Sequence, residues 1–143
     1  MALSHAVTEL VAAPADRAFR FLADGLQLGR WAFGCWQTEA VAGGLFRGHS
    51  LFDGSAGLVR IEADPARMSV WFHVGAVPER LVPRIVAHVV PGERTGRGAE
   101  TCLVTLLAWR DAGMNEDRWR RVAVGHETEA LLIKALIERG ASD

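Results

Sequence analysis

Residues 114–139 read MNEDRWRRVAVGHETEALLIKALIER and contain no proline. At 100° per residue, Trp119, Val122, Ala123, His126, Ala130, Ile133 and Ile137 project onto one face, the pattern of a long amphipathic helix. Asn115 fits the N-cap, and Glu116 and Asp117 place negative charge in the first turn, where the helix dipole favours it. The stripe from Trp119 to Ile137 spans about 27 Å at 1.5 Å per residue. A stripe that wide has to lie against a large apolar surface, and the concave face of an antiparallel sheet is the natural candidate.

The preceding chain supplies such a sheet. The period is close to 2 from Phe33 to Trp109, with turn signals at short intervals. Strands are expected over 33–42, 45–52, 57–63, 68–75, 81–90 and 100–109. The links are Gly43-Gly44, Asp53-Gly54, Asp64-Pro65-Ala66-Arg67, Ala76 to Arg80 and Pro91 to Gly98. Asp53-Gly54 is the clearest two-residue hairpin signal. Upstream, residues 3–12 alternate loosely and read as a further strand. Pro14 then suits the first turn of a helix carrying Ala18, Phe19 and Leu22, with Asp24-Gly25 as its stop. A second helical turn is expected over Leu26 to Trp31.

That order also carries a family resemblance. Val11-Ala12-Ala13-Pro14-Ala15-Asp16-Arg17-Ala18-Phe19 resembles the opening of START-like proteins of the SRPBCC superfamily, where a strand runs into an "APxxxxF" helix start. Leu22-Ala23-Asp24 followed by Trp31 is similar to that family's next segment. So are Gly48-His49-Ser50-Leu51-Phe52-Asp53-Gly54 and the closing helix with His126-Glu127 before Leu131-Leu132-Ile133-Lys134. The resemblance implies one α+β domain over 1–143 with the helix-grip fold. In that fold a curved seven-stranded antiparallel sheet wraps a long C-terminal helix, and two short helices follow the first strand. It also implies a cavity between sheet and helix for a small apolar molecule. Family members bind lipids, sterols, polyketides, quinones or plant hormones; some are cyclases or hydrolases, and others activate a chaperone ATPase.

Composition narrows the field independently. The chain has 143 residues, half of them hydrophobic and 23% charged, which is enough for one well-packed core without a disulfide or metal. Its net charge is -1, against a nucleic-acid partner, which would need a surplus of positive charge. Met1 to Leu10 has no basic region followed by an apolar core, and no apolar run approaches the roughly 20 residues of a spanning helix. A cytoplasmic protein is the expectation. Cys35 and Cys102 lack a neighbouring Cys or His at ligand spacing, so reduced thiols, no metal and no cofactor are expected. The near-absence of lysine, with Lys134 alone against many arginines, fits the codon bias of a GC-rich bacterial genome. A homodimer is compatible with all of this.

Chemistry is expected in the space between helix and sheet. Trp31, Phe33, Trp36, Phe46, Phe52, Trp71, Phe72, Trp109 and Trp119 lie in segments bordering it. As a set they read either as the wall of an aromatic pocket or as ordinary core. On 68–75 two faces compete: Met68, Val70, Phe72 and Val74 against Ser69, Trp71 and His73. His126 sits mid-stripe between the small Ala123 and Ala130, either as a proton-transfer group or as a core histidine paired with a carbonyl or Glu129. His49 and His88 are expected outside, with Arg84 on the face of His88. Gly125 implies close backbone packing or a bend at a cavity mouth. Arg118, Arg120 and Arg121 read as a solvated face, although Arg118 or Arg121 would meet a ligand carboxylate at the rim.

The first functional reading is therefore a carrier of a small apolar molecule such as a lipid or polyketide. The alternative is a polyketide cyclase or dehydratase using His126 with a carboxylate, Glu129 or Asp53, together with whichever of His73, Glu9 and Arg60 converge. The third is a protein-interaction module presenting an exposed apolar patch.

Overall fold

The first strand, β1 (Ser4–Val11), ends where Ala13-Pro14 turns the chain into a helix. The computed structural model describes residues 2–140; Met1, the first residue of the stretch read above for a leader, lies outside them. Pro14 is extended at the N-cap of α1 (Ala15–Ala23), one position before the expected first turn, and its carbonyl accepts from Arg17 and Ala18. Asp24 stops α1 and caps α2 (Gly25–Leu28), with its carboxylate accepting from the Leu26 amide at 3.0 Å. Thr38 Oγ1 then donates to the Gly25 carbonyl at 2.6 Å and accepts from the Gly29 amide at 3.0 Å, fastening α2 to the next strand.

Six antiparallel strands follow: β2 (Trp36–Val41), β3 (Leu45–His49), β4 (Ala56–Asp64), β5 (Ser69–Gly75), β6 (Val82–Pro91) and β7 (Cys102–Trp109). They make one seven-stranded sheet in the order β1-β7-β6-β5-β4-β3-β2. Each strand from β2 onward pairs with its sequence neighbour, and β1 closes against β7 in continuous register from Ser4↔Trp109 to Val11↔Cys102. The chain ends in α3 (Glu116–Gly140), where Asn115 caps the helix by accepting from the Arg118 amide at 2.8 Å. This is the α+β helix-grip architecture expected from the sequence. None of the described helices is long and apolar enough to cross a membrane.

The C-terminal half of α3 packs into the core. Val11, Ala18, Leu22, Val70, Phe72, Ala87, Val89, Cys102, Val104 and Leu106 meet Ala130, Ile133, Leu136 and Ile137 of α3. Polar ties lock that end. Lys134 Nζ donates to the Leu10 carbonyl at 2.6 Å and to Glu138 at 2.7 Å, and Glu138 accepts from the Ala12 amide at 2.7 Å. Apolar burial of this kind contributes roughly 25 cal/mol per Å², and it is concentrated in the C-terminal half of the helix.

Three details differ from the sequence reading. The strand expected over 33–42 begins at Trp36, because Phe33 to Cys35 form a turn. The strand expected over 45–52 stops at His49. The connection after it is wider than a two-residue hairpin, with the Ser50 amide donating to the Ser55 carbonyl at 2.8 Å and Leu51 and Phe52 inside the turn. The third is a register shift between β5 and β6: Phe72 faces Ile85 but His73 faces Pro83. Arg84 is the extra residue of this β-bulge, a device that re-aims a side chain. It leaves the His88 face and joins Ile85 at the inner space.

Candidate functional site

The N-terminal half of α3 stands off the sheet, and the space left there is a cavity of two adjoining chambers, about 490 and 420 Å³. Each lies within the usual range for small-molecule sites. The smaller chamber is apolar and lies toward the sheet, walled by Leu28, Trp31, Val59, Phe72, Val74 and Val82. The larger is polar, with Ser50, Asp53, Ser55, Arg118, Arg121 and Phe33 around it. Ser55, Arg84, Ile85, Arg118, His126 and Glu129 border both. Trp31 meets Phe72 edge-on, with ring centroids 5.7 Å apart, an arrangement that aromatic quadrupoles favour.

Gly125 explains how the helix leaves room. A Cβ built there would meet only Phe33 at 3.8 Å and the Glu129 carboxyl at 3.9 Å, so no backbone presses on the glycine. Its absent side chain is cavity volume.

Glu129 and His126 are the buried polar residues of the cavity wall. Their i,i+3 spacing on α3 puts Nε2 of His126 3.8 Å from Oε1 of Glu129. The other carboxyl oxygen, Oε2, accepts from the Phe33 amide at 3.0 Å, which holds the 33–35 turn against the helix. Burial pushes the Glu129 carboxyl up to about 8, only partly opposed by that amide. Burial also pushes the His126 imidazole down to about 4, helped by His5 and Arg84. Both groups are neutral at pH 7, so the contact is not an ion pair. Nδ1 of His126 is buried without a partner, as is Nδ1 of His5, whose ring lies edge-on 6.1 Å away. A protonated carboxyl beside a neutral imidazole offers a donor and an acceptor to a ligand oxygen without placing charge there.

The charge sits at the mouth. Arg84 Nη1 is 3.9 Å from Asp111, and desolvation together with the nearby Arg118 lowers its pKa. Arg121 lies over the Phe52 ring, 5.4 Å from its centroid. Asp53 is tied to Ser55 and held below the usual carboxylate range, first by the Ser55 hydroxyl. Cys35 borders the apolar chamber, but burial raises its thiol to about 11, so it is not a nucleophile at neutral pH. Among the described residues no group of His, Cys, Asp and Glu could hold a metal.

Of the residues singled out from sequence, the structure brings Trp31, Phe33, Phe52, Phe72, His126 and Glu129 to the cavity. Trp71 and Trp109 stack on each other, centroids 5.6 Å apart, on the opposite face of the sheet, because Val70 and Phe72 take the inner face of β5. Phe46 packs over Gly25 of α2, and Trp36 touches Phe33 from outside. Trp119 and Ala130 are buried in packing, and Ala123 is half-buried; none of the three borders either chamber. The helix face turned to the cavity is rotated from the expected stripe toward Arg118, Gly125 and Glu129. Asp53 reaches the polar chamber. Glu9, Arg60 and His73 do not, and His73 Nε2 lies 3.6 Å from Glu62. Arg84 is the site residue that sequence reasoning put on the wrong side. Alternation along 81–90 runs straight through the bulge, and nothing in the local sequence marks it.

No protein-family model and no curated protein matches the chain. Solved structures do. The di-domain aromatase/cyclase BexL from the BE-7585A biosynthetic pathway superposes with a TM-score of 0.73 at 25% identity, over 98% of this chain and 48% of its own. The chain thus spans about half the length of that protein. The Zhui aromatase/cyclase from Streptomyces sp. R1128 gives 0.66 at 20% identity, over 96% and 94% of the two chains. The Aha1 dimer from Colwellia psychrerythraea gives 0.67 at 14% identity, over 97% and 98%. The chain has the START-like helix-grip fold that these aromatase/cyclases share.

Proposed function

We propose that the chain binds a flat, oxygen-bearing small molecule of the polyketide kind. Its apolar rings would occupy the Trp31–Phe72 chamber, and its oxygens would face Glu129, His126 and the arginines. The observation that carries this reading is the change of lining chemistry across one wall. Trp31 and Phe72 line only the chamber on one side of Arg84 and His126, and Ser50, Asp53 and Arg121 only the chamber on the other. A purely apolar ligand would leave the polar side unmatched. The test is a titration with 1,8-dihydroxyanthraquinone, followed by tryptophan emission. Saturable quenching that is lost in Ile85→Phe, where added bulk enters both chambers, supports the reading. No saturable change, or equal affinity in Ile85→Phe, removes it.

A second reading, cyclase or dehydratase chemistry, is favoured by the Glu129 carboxyl being an acid at neutral pH. In a dehydration, Glu129 gives its proton to a departing hydroxyl as the C–O bond breaks. The His126 imidazole takes the proton from the adjacent carbon as the C=C bond forms. Imidazolium and carboxylate then exchange the proton across their 3.8 Å gap, so the site is restored and water is the by-product. Glu129→Gln should keep anthraquinone binding and lose turnover of a β-hydroxy ketone. A variant with unchanged turnover would leave the carrier reading alone.

A further inference from the structure

We propose that the polar chamber is an anion subsite, in which Arg84 and Arg118 together take one carboxylate or phosphate group of the ligand; this rests on the binding reading above. The charges around the chamber do not cancel. Glu129 and His126, the titratable groups of the inner wall, are neutral at pH 7 and contribute none. Arg121 is engaged over Phe52 and acts on Asp53, whose pKa is lowered first by the Ser55 hydroxyl and last by this arginine, so the two charges at the rim offset each other. Arg84 has only Asp111, at 3.9 Å, beyond hydrogen-bond reach. Glu116 is taken by Arg110 at 2.7 Å. Asp117 and Arg120 border the adjoining outer groove and not the chamber itself.

Arg118 is what remains. It borders both chambers, and its guanidinium has no hydrogen bond or ion pair among the described residues. It also bears on Arg84, whose pKa is lowered first by desolvation and then by the Arg118 charge. Two like charges face the same space with one carboxylate, Asp111, beside them, so one positive charge is uncompensated. The planar forks of two arginines suit the paired oxygens of a carboxylate or phosphate. The neutral Glu129 acid would add a donor where a carboxylate would repel. Since Arg84 and Arg118 also border the apolar chamber, the anion has to be carried on an apolar body. A free inorganic ion would leave that chamber unfilled.

Calorimetric titrations with 1-naphthol, 1-naphthoate and 1-naphthyl phosphate separate the possibilities. At least one anion should bind roughly tenfold or more tightly than naphthol, the scale of a charge-assisted hydrogen bond. The tighter of the two identifies the group. Arg118→Gln and Arg84→Gln should each erase most of that advantage over naphthol, and a circular dichroism spectrum matching wild type shows that the variants are folded. Arg120→Gln, on the outer groove, should change nothing. Naphthol binding as tightly as both anions overturns the subsite and leaves the cavity reading standing, as does an advantage that survives both arginine variants. Failure of all three probes to bind overturns both.

Discussion

Glu129 shows how much one buried group decides. Its folded pKa is raised to about 8 from the ordinary 4.5, so its contribution to stability is present below pH 4.5 and is lost as pH rises through 8. His126 runs the other way. Its folded pKa is lowered to about 4 from 6.5, so its contribution is present above 6.5 and is lost as pH falls through 4. Between 4.5 and 6.5 the two slopes oppose each other; above 6.5 only the Glu129 loss continues. Urea denaturation should therefore show wild type losing on the order of 1–2 kcal/mol between pH 6.5 and 8 relative to Glu129→Gln. Parallel pH profiles of the two proteins would mean that Glu129 is ionised in the folded state. Gly125 supports a second expectation at this scale. A methyl group at that position would make only ordinary van der Waals contacts, so Gly125→Ala should raise stability by about 1 kcal/mol, the usual helix-interior cost of glycine. A loss of stability in the same denaturation experiment would show that the helix needs that glycine. The Glu129–His126 pair was legible in the sequence because helical spacing brings i and i+3 together. Arg84 was not, because a bulge is set by pairing between strands and leaves no local mark.

At the scale of the element, α3 has two jobs divided along its length. Ile133 and Ile137 are 1% and 3% exposed in the core, so Ile133→Ala and Ile137→Ala should each cost about 2–5 kcal/mol. An unchanged denaturation midpoint for Ile137→Ala would contradict the packing of this helix end. Ala123 and Ala130 flank His126 along the stripe, yet neither borders the cavity. Ala130 is 2% exposed and away from both chambers, so Ala130→Phe should destabilise by about 1–3 kcal/mol through overpacking. Ala123→Phe should leave anthraquinone affinity unchanged. The helical wheel located the apolar face, because 3.6-residue periodicity is a local property. It could not show which arc meets sheet and which meets empty space, because that depends on where β3 to β6 curve away.

For the whole molecule, element order and turn chemistry were enough to reach the helix grip. Each strand pairs with its sequence neighbour, and only β1 has to find a distant partner in β7. The cavity was harder to read. Both faces of β5 carry aromatic residues, Phe72 inside and Trp71 stacked on Trp109 outside, so composition alone could not separate pocket wall from outer surface. Methyl-resolved NMR tests whether the amphipathic cavity between α3 and the sheet binds the ligand. With 1,8-dihydroxyanthraquinone added to the methyl-labelled protein, the resonances of Leu58, Val59, Val74, Val82 and Ile85 should shift together and saturate. Those of Leu103 and Leu107, on the opposite face of β7, should stay in place. Saturable shifts confined to Leu103 and Leu107, with the cavity methyls unmoved, would contradict the account.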